Sequence, residues 1–171
     1  TVRKLSSLVK SKETIKGKNG LLHTKDKNRY LMSNAQRNIY LAQIQNPFEL
    51  SYNIVECYKI EGKFDRKRLV SAVNEIVRKN EILRTTFYNE QDKLYQCIHD
   101  DVKIDIEYEK NIKSDIKTIF KNYAKPFDLG NAPLFRMKIV TVDSASYMLF
   151  DIHHIISDGT GNELFIKMLL D

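Results

Sequence analysis

The chain has 171 residues, of which 42% are hydrophobic and 29% are charged, as in water-soluble globular domains. This length suits one domain with a real core and excludes two large ones. No apolar stretch approaches the roughly 20 residues that cross a bilayer, and no apolar segment follows the basic N-terminus as in a secretion signal. We expect a cytoplasmic domain without a membrane partner.

The formal net charge of +6 is concentrated at the N-terminus. Residues 1–30 hold nine Lys and Arg against two acidic residues, whereas the remainder holds 19 against 20. The basic segment lacks interleaved aromatic residues, so it is interpreted as a solvated linker and no nucleic-acid partner is expected. Cys57 and Cys97 show no metal-ligand spacing, which predicts buried free thiols.

Composition divides the chain into three parts. Residues 1–10 carry apolar side chains at helical spacing, which predicts a short helix. Residues 11–29 are rich in Lys, Gly and Asn, which is typical of a linker. We expect the main domain to occupy residues 30–171.

Within that domain, helices and strands are mixed. Ser33 is a candidate helix N-cap, and Asn46-Pro47 ends that helix. A long helix opens at Phe64-Asp65 and ends near Asn80, with one apolar stripe. Short helices are predicted at 114–123 and from 161 to 170. Strands are predicted at 53–60, 83–88, 94–98, 102–108, 134–142 and 147–153, the last two as a hairpin around 143–146. This order favours an α+β fold with a mixed sheet.

Two adjacent histidines end the last predicted strand. Since side chains alternate along a strand, His153 and His154 must point to opposite sides, and only one can face a given cleft. A turn at Asp158-Gly159 follows, and then a helix begins. The free backbone N–H groups of that helix start would lie near the histidine that faces the cleft. A neutral imidazole that accepts a proton, beside donors for an oxyanion, suits acyl transfer.

A histidine pair in this position has other interpretations. A histidine pair at a strand end is more often structural or surface-exposed than catalytic, and two residues on opposite strand faces cannot grip one zinc ion. No metal site is therefore predicted. Asp158 could orient the imidazole, but we favour a role in holding the loop through an arginine.

Four segments in fixed order resemble the condensation domains of nonribosomal peptide synthetases, members of the chloramphenicol acetyltransferase-like superfamily. His153 to Gly159 matches the HHxxxDG signature, and Ser33 to Tyr40 resembles the opening SxAQ motif. Arg78 to Phe87 is similar to RHExLRTxF, with Lys79 and Asn80 as departures. Phe127 to Arg136 is similar to FDLxxxPLxR. Thr160-Gly161 departs from the aromatic or aliphatic residue and Ser that often follow the signature.

The resemblance implies a chloramphenicol acetyltransferase-like lobe and assigns residue roles. His154 takes the catalytic position, and Gly159 lies beside the reacting thioester. Asp158 is implied to be structural, with Arg84 as its partner in an ion pair, and His153 supports the site. Family members have two lobes, so residues 30–171 correspond to the N-terminal lobe and the C-terminal lobe is absent.

The resemblance also implies partners. Substrates would arrive on the phosphopantetheine of upstream and downstream carrier-protein domains, so no cofactor is expected to bind this domain directly. Residues 1–10 resemble the last helix of a carrier domain, and an adenylation domain is expected in the same synthetase. The expected reaction is amide formation in the biosynthesis of an antibiotic or other secondary metabolite, and the isolated fragment is expected to be inactive.

Three alternatives stay open at this point. An epimerisation domain shares HHxxxDG and also follows a carrier, but its opening segment usually looks like TPxQxWF, unlike Ser33 to Tyr40. A non-catalytic condensation-like recruitment module usually loses the histidines. A freestanding coenzyme A acyltransferase would lack the carrier-like tail. Heterocyclisation is disfavoured, because those relatives carry DxxxxD in place of the signature.

Overall fold

A computed structural model describes residues 28–62, 65–110 and 112–170. The predicted carrier-like helix at 1–10 and nearly all of the predicted linker at 11–29 lie outside these residues. The first described strand, β1, spans Arg29–Leu31, so the folded unit includes Arg29, one residue before the predicted boundary. The strand was not predicted, because three residues are too few to show an alternating pattern.

The first half of the domain follows the sequence pattern closely. Helix α1 spans Asn34–Gln45, and the Ser33 hydroxyl and Gln36 side chain form a reciprocal capping box at its start. Strand β2 spans Asn53–Ile60. Helix α2 spans Arg66–Lys79 and begins at Asp65, whose carboxylate accepts two backbone N–H groups.

The middle of the domain departs from the predicted strands. Glu81–Arg84 form a 3-10 turn, so β3 begins at Thr85 and spans Thr85–Glu90. Strand β4 spans Lys93–Ile98. The predicted strand at 102–108 is wrong over most of its length, since only β5, Glu107–Glu109, pairs with another strand. The preceding residues instead lie against α2, where the Asn74 side chain bonds the backbone of Ile104 at 2.9 Å.

The last part builds the strand that carries the histidines. Helix α3 spans Ile116–Lys121, and the strands β6, Phe135–Val142, and β7, Ala145–His153, form the predicted hairpin. Its turn is shorter than predicted, because Asp143 and Ser144 alone connect the strands, both with positive φ. Helix α4 spans Gly159–Leu170 and begins two residues earlier than predicted.

The strands form two sheets. One is antiparallel, with the order β1-β4-β3, and the other has the order β2-β7-β6-β5. In the second sheet β7 pairs antiparallel with β2 and β6, and only β5 with β6 is parallel. The predicted α+β class with a mixed, mainly antiparallel sheet is confirmed.

The two faces of the four-stranded sheet bury different side chains. One face carries Phe135, Phe150 and Ile152, which pack with α2 and α4 in the main core. The opposite face carries Val140, Val142 and Leu149, which pack against α3 and its flanks. Because alternation continues along β7, Asp151 and His153 lie on this second face and are both fully buried.

The prediction of buried thiols is wrong for Cys57 and is met only in part for Cys97. Cys57 is exposed and Cys97 is partly buried, and both are free thiols. Cys57 stands on β2, at the edge of the four-stranded sheet, opposite Leu149. Among the described helices, none combines the length and apolar character that crossing a membrane would need.

Candidate active site

The two histidines, which were predicted to point in opposite directions, lie in different environments. His153 has no exposed surface, whereas His154 is exposed in the turn after β7. The backbone holds both: the N–H of His153 donates to the Leu134 carbonyl at 2.9 Å, and that of His154 donates to the Tyr52 carbonyl at 2.7 Å. Only the His154 ring is available to a substrate.

Hydrogen bonding determines which nitrogen of His154 carries the proton. Its Nδ1 lies 2.7 Å from the backbone carbonyl oxygen of Ser157. Because a carbonyl can only accept, Nδ1 must be the donor, and in the neutral ring Nε2 is then an acceptor. The exposed ring therefore offers a lone pair at Nε2 in a fixed orientation.

Asp158 caps the helix that follows. Its Oδ1 accepts the N–H of Gly161 at 2.7 Å, and its backbone carbonyl accepts the N–H of Asn162 at 2.9 Å. These are the bonds of a helix N-cap. The N–H groups of Gly159 and Thr160, in the first turn, have no intrahelical acceptor and give this end of α4 a partial positive charge.

The glycines after Asp158 have different surroundings. A Cβ at Gly159 would meet no atom within 4 Å. A Cβ at Gly161 would lie 2.6 Å from Ser157 Oγ, and that hydroxyl donates to Asn162 Oδ1 at 2.7 Å. Gly161, the departure from the family pattern, thus leaves room for the Ser157 side chain at the start of α4.

His154 lines an open groove between α1 and α4. The α1 side of the groove consists of Ala35, Gln36 and Ile39, which belong to the SxAQ segment, and the α4 side includes Asp158 and Gly161. Two motifs that are over a hundred residues apart in sequence therefore meet at the His154 ring.

The predicted ion pair between Asp158 and Arg84 is wrong. Arg84 Nη1 donates to the His99 carbonyl, and Nη2 lies 3.4 Å from Glu81 Oε1. The 3-10 turn before β3 directs the guanidinium toward the loop after β4, while Asp158 is occupied as a helix cap. Arg84 remains mostly buried, but it braces the 81–99 region.

A buried ion pair does exist, at another place in the same sheet. Arg136 Nη1 lies 3.4 Å from Asp151 Oδ2, and these residues stand opposite each other on β6 and β7. Asn53 Nδ2 donates to both Asp151 oxygens, at 2.9 and 3.1 Å. Arg136 also donates to the carbonyls of Lys125 and Pro126 and stacks on the Phe127 ring at 3.8 Å. This network links the FDLxxxPLxR segment to the strand that ends in the histidines.

The charges of the two buried groups follow from burial. Desolvation raises the pKa of the Asp151 carboxyl, although the Arg136 charge and the Asn53 hydrogen bonds act in the opposite direction. Desolvation, with a smaller effect from the neighbouring His154, lowers the pKa of His153 to about 4. His153 is therefore a neutral imidazole near pH 7.

His153 has a polar partner at each ring nitrogen. Its Nε2 lies 3.2 Å from Gln43 Oε1, and its Nδ1 accepts the N–H of Ile155 at 3.2 Å. The Phe127 ring contacts it edge-on, with ring centroids 6.0 Å apart. Gln43 is itself only 3% exposed.

Gln43, Asn53 and Asp151 were not predicted as site residues, and Arg136 belongs to a predicted motif without a predicted role. The available signal was an isolated polar residue inside an apolar pattern, as in Leu149-Phe150-Asp151-Ile152. Such a residue is costly to bury without a partner. Across the described ranges, no group of three His, Cys, Asp or Glu side chains is arranged to hold a metal ion.

Comparison with known proteins assigns the family. A family model described as Condensation domain matches residues 26–171. Bacitracin synthase 3 of Bacillus licheniformis is 37% identical over 147 residues, which are 85% of this chain and 2% of that protein. Tyrocidine synthase 2 of Brevibacillus parabrevis is 35% identical over 172 residues, which are 100% of this chain and 5% of that protein. The chain thus spans only a small part of these relatives.

Solved structures agree. The starter condensation domain of rhizomide synthetase RzmA matches with a TM-score of 0.74 at 26% identity, over 82% of this chain and 36% of that chain. The first condensation domain of the calcium-dependent antibiotic synthetase matches with a TM-score of 0.73 over the same shares, at 22% identity. This chain therefore belongs to the condensation domain family of nonribosomal peptide synthetases.

Proposed function

We propose that this chain contributes the His154 face of a site for amide formation. The acyl or peptidyl group of one phosphopantetheine thioester passes to the amine of an aminoacyl group held on a second thioester. The observation that carries the proposal is the orientation of His154, whose Nδ1–H is held by the Ser157 carbonyl so that Nε2 is a free acceptor. The ring stands exposed in the groove between α1 and α4.

The proposed reaction needs one hydrogen-bond acceptor on the protein and one amine nucleophile on the substrate. The neutral amine donates a hydrogen bond to Nε2, which directs the nitrogen lone pair at the thioester carbon. The new C–N bond forms, the C–S bond breaks, and the amine proton leaves through the imidazole to the departing thiolate. No oxidant, reductant or metal enters this balance.

The start of α4 supports the same step. The first-turn N–H groups present partial positive charge beside the groove, which favours the oxyanion that forms at the thioester carbon. Gly159 lies at this end of the helix with open space around its Cα. We assign it the role of leaving room for the thioester.

The partners follow from this chemistry. Two carrier-protein domains deliver the thioesters, and phosphopantetheine belongs to those carriers, so no cofactor is assigned to this chain. The matched part is 36% of a solved condensation domain. The rest of such a domain, including a second lobe, and an adenylation domain are proposed to complete the working unit.

The test uses the full-length protein that carries this chain. Its donor carrier is loaded from a panel of aminoacyl-coenzyme A thioesters, and the acceptor is offered as aminoacyl N-acetylcysteamine thioesters, with the amide product measured by mass spectrometry. His154→Ala should lower turnover about 100-fold to 10,000-fold, while its unfolding free energy stays within about 0.5 kcal/mol of the wild type. Near-normal turnover by a folded variant would remove the catalytic role.

Gly159→Ala distinguishes a steric effect on the reaction from an effect on folding. Alanine is a better helix residue than glycine, and its Cβ would meet no atom of the chain, so folding should be unaffected or slightly improved. Turnover should nevertheless fall, because the methyl group enters the space assigned to the thioester. Unchanged turnover would contradict that assignment.

The 171-residue chain alone should give no amide product with the same substrates. Two thioesters must be held in register, and the groove beside His154 is open. The matched control is the full-length protein under the same conditions. Product formation by the isolated chain would show that one lobe is sufficient.

A further inference from the structure

Gln43 lies where α1 ends, at the contact between that helix and the end of β7. Its Nε2 is surrounded by three backbone carbonyl oxygens, of Asn46, Pro47 and Glu49, at 3.4, 3.3 and 3.3 Å. Three acceptors around one atom identify that atom as the amide nitrogen. The opposite end of the amide, which faces His153, must be the oxygen.

The oxygen of Gln43 determines the state of the His153 ring. Because Oε1 can only accept, the His153 Nε2 that lies 3.2 Å away must carry the proton. In a neutral ring Nδ1 is then a lone pair. It faces the N–H of Ile155 at 3.2 Å, and an N–H can only donate. Both ends of the ring thus require the same tautomer.

The Ile155 N–H belongs to the turn that carries His154. This turn is held by the N–H of His154 on the Tyr52 carbonyl at 2.7 Å and by the N–H of Ile156 on the His153 carbonyl at 3.1 Å. The N–H of Ile155, which lies between these two residues, is held by the His153 side chain instead of by a backbone carbonyl. The backbone that carries His154 is thus held in part by an unprotonated His153 Nδ1.

We propose that Gln43 is a positioning residue for His154, because it holds His153 as the Nε2–H tautomer whose Nδ1 fixes the Ile155 N–H and the turn. This inference rests on the proposed function, since it concerns the efficiency of the same reaction. Gln43 touches neither the groove nor His154. It acts through the neighbouring ring.

The test exploits the fact that the two nitrogens of histidine can be replaced separately. His153→Asn places an amide oxygen near the position of Nδ1 and can still accept the Ile155 N–H. His153→Gln places an amide nitrogen near Nε2 and keeps the donor to Gln43, but it loses the Nδ1 acceptor. Each variant is made in the full-length protein, alone and, for His153→Asn, together with Gln43→Leu.

Turnover is measured with the donor carrier and acceptor thioester that give product in the wild type. Gln43→Leu and His153→Gln should each lower kcat about 10-fold to 100-fold with little change in KM. His153→Asn should keep kcat within about threefold, and Gln43→Leu should cost about threefold or less in that background, because no tautomer remains to be fixed. Gln45→Leu, an exposed glutamine on the same helix, is the control and should match the wild type.

An equal cost of Gln43→Leu in both backgrounds would overturn the proposal and assign Gln43 to the loop carbonyls alone. If Gln43→Leu does not fold, the two His153 variants are compared instead. Equal kcat for His153→Asn and His153→Gln would then overturn the proposal. Hydrogen exchange followed by mass spectrometry gives a readout that is independent of turnover. Exchange at the Ile155 N–H should accelerate about tenfold or more in His153→Gln but not in His153→Asn. Failure of the proposed function would instead appear as turnover by His154→Ala with these exchange rates unchanged.

Discussion

The buried end of β7 and the exposed turn that follows it differ in how their polar groups are used. Asp151 and His153 are fully buried, and both ring nitrogens of His153 and both oxygens of Asp151 have partners within the protein. His154 follows His153 directly in the exposed turn, where its Nδ1 is held by the Ser157 carbonyl and its side chain lines the groove.

The difference reflects the cost of removing polar groups from water. An unpaired buried donor or acceptor costs free energy, so the interior retains polar side chains that are paired. An exposed group is solvated and can keep a free lone pair without that cost. The buried network can therefore fix the geometry of the turn, while the exposed ring remains available to react.

Removing the positive member of the buried pair should have the largest effect on stability. Arg136→Met keeps a long side chain over Phe127 but leaves the Asp151 carboxylate without its counter-charge, so we expect a loss of about 3 to 5 kcal/mol in unfolding free energy. Burial already raises the pKa of Asp151, and removal of Arg136 should raise it further. Because the folded-state pKa of Asp151 then lies above its unfolded value of about 4, the penalty for burying its carboxylate is absent below about pH 4 and appears as pH rises. Chemical denaturation should therefore show a deficit relative to the wild type that shrinks as the pH is lowered from 8 toward 4.

Lys138 provides the matched control, since it lies on the same face of β6 two residues from Arg136. It pairs with the exposed carboxylates of Glu107 and Glu109 at 3.5 and 2.9 Å. Lys138→Met should cost about 1 kcal/mol or less. Equal losses for the two variants would show that burial of the Asp151 pair does not determine its importance.

His153 should make the fold sensitive to acid. Its pKa is lowered from 6.5 to about 4, so its neutral form contributes stability above pH 6.5 that is lost as pH falls through the folded-state pKa. The shift corresponds to about 3 kcal/mol between those limits. Denaturation of the wild type and His153→Asn from pH 7.5 to pH 4 isolates this contribution from that of the carboxylates. A constant difference between the two proteins across that range would contradict it.

Among Arg136, His153 and Asp158, Asp158 should contribute least to the free energy of unfolding. As an exposed helix cap, it should lose about 1 kcal/mol in Asp158→Ala, well below the loss expected for a buried ion pair. Asp158→Asn keeps a capping oxygen and is the control, with a loss of a few tenths of a kcal/mol. A loss near that of Arg136→Met would indicate a buried partner for the carboxylate.

Local sequence signals were most reliable where one element explains them. The helix cap at Ser33, the bounds of β2 and the opposite directions of His153 and His154 each depend on neighbours within a few residues. The strand predicted at 102–108 failed, because its residues instead lie against α2 through the Asn74 side chain. An alternating pattern describes a half-buried extended segment, whether or not its backbone pairs with a strand.

For the site, the sequence identified the residues of the signature, the opposite directions of the two histidines and the helix start beside them. These follow from the period of a strand and from capping chemistry. The burial of His153 and the partners of the polar groups came from tertiary packing: Arg136, and not Arg84, pairs with a buried carboxylate, Asp158 serves as a helix cap, and Gln43 meets a ring 110 positions away. The physical reason is that a charged or polar side chain specifies the kind of partner it requires, whereas the packing of distant elements determines which residue comes within hydrogen-bonding distance.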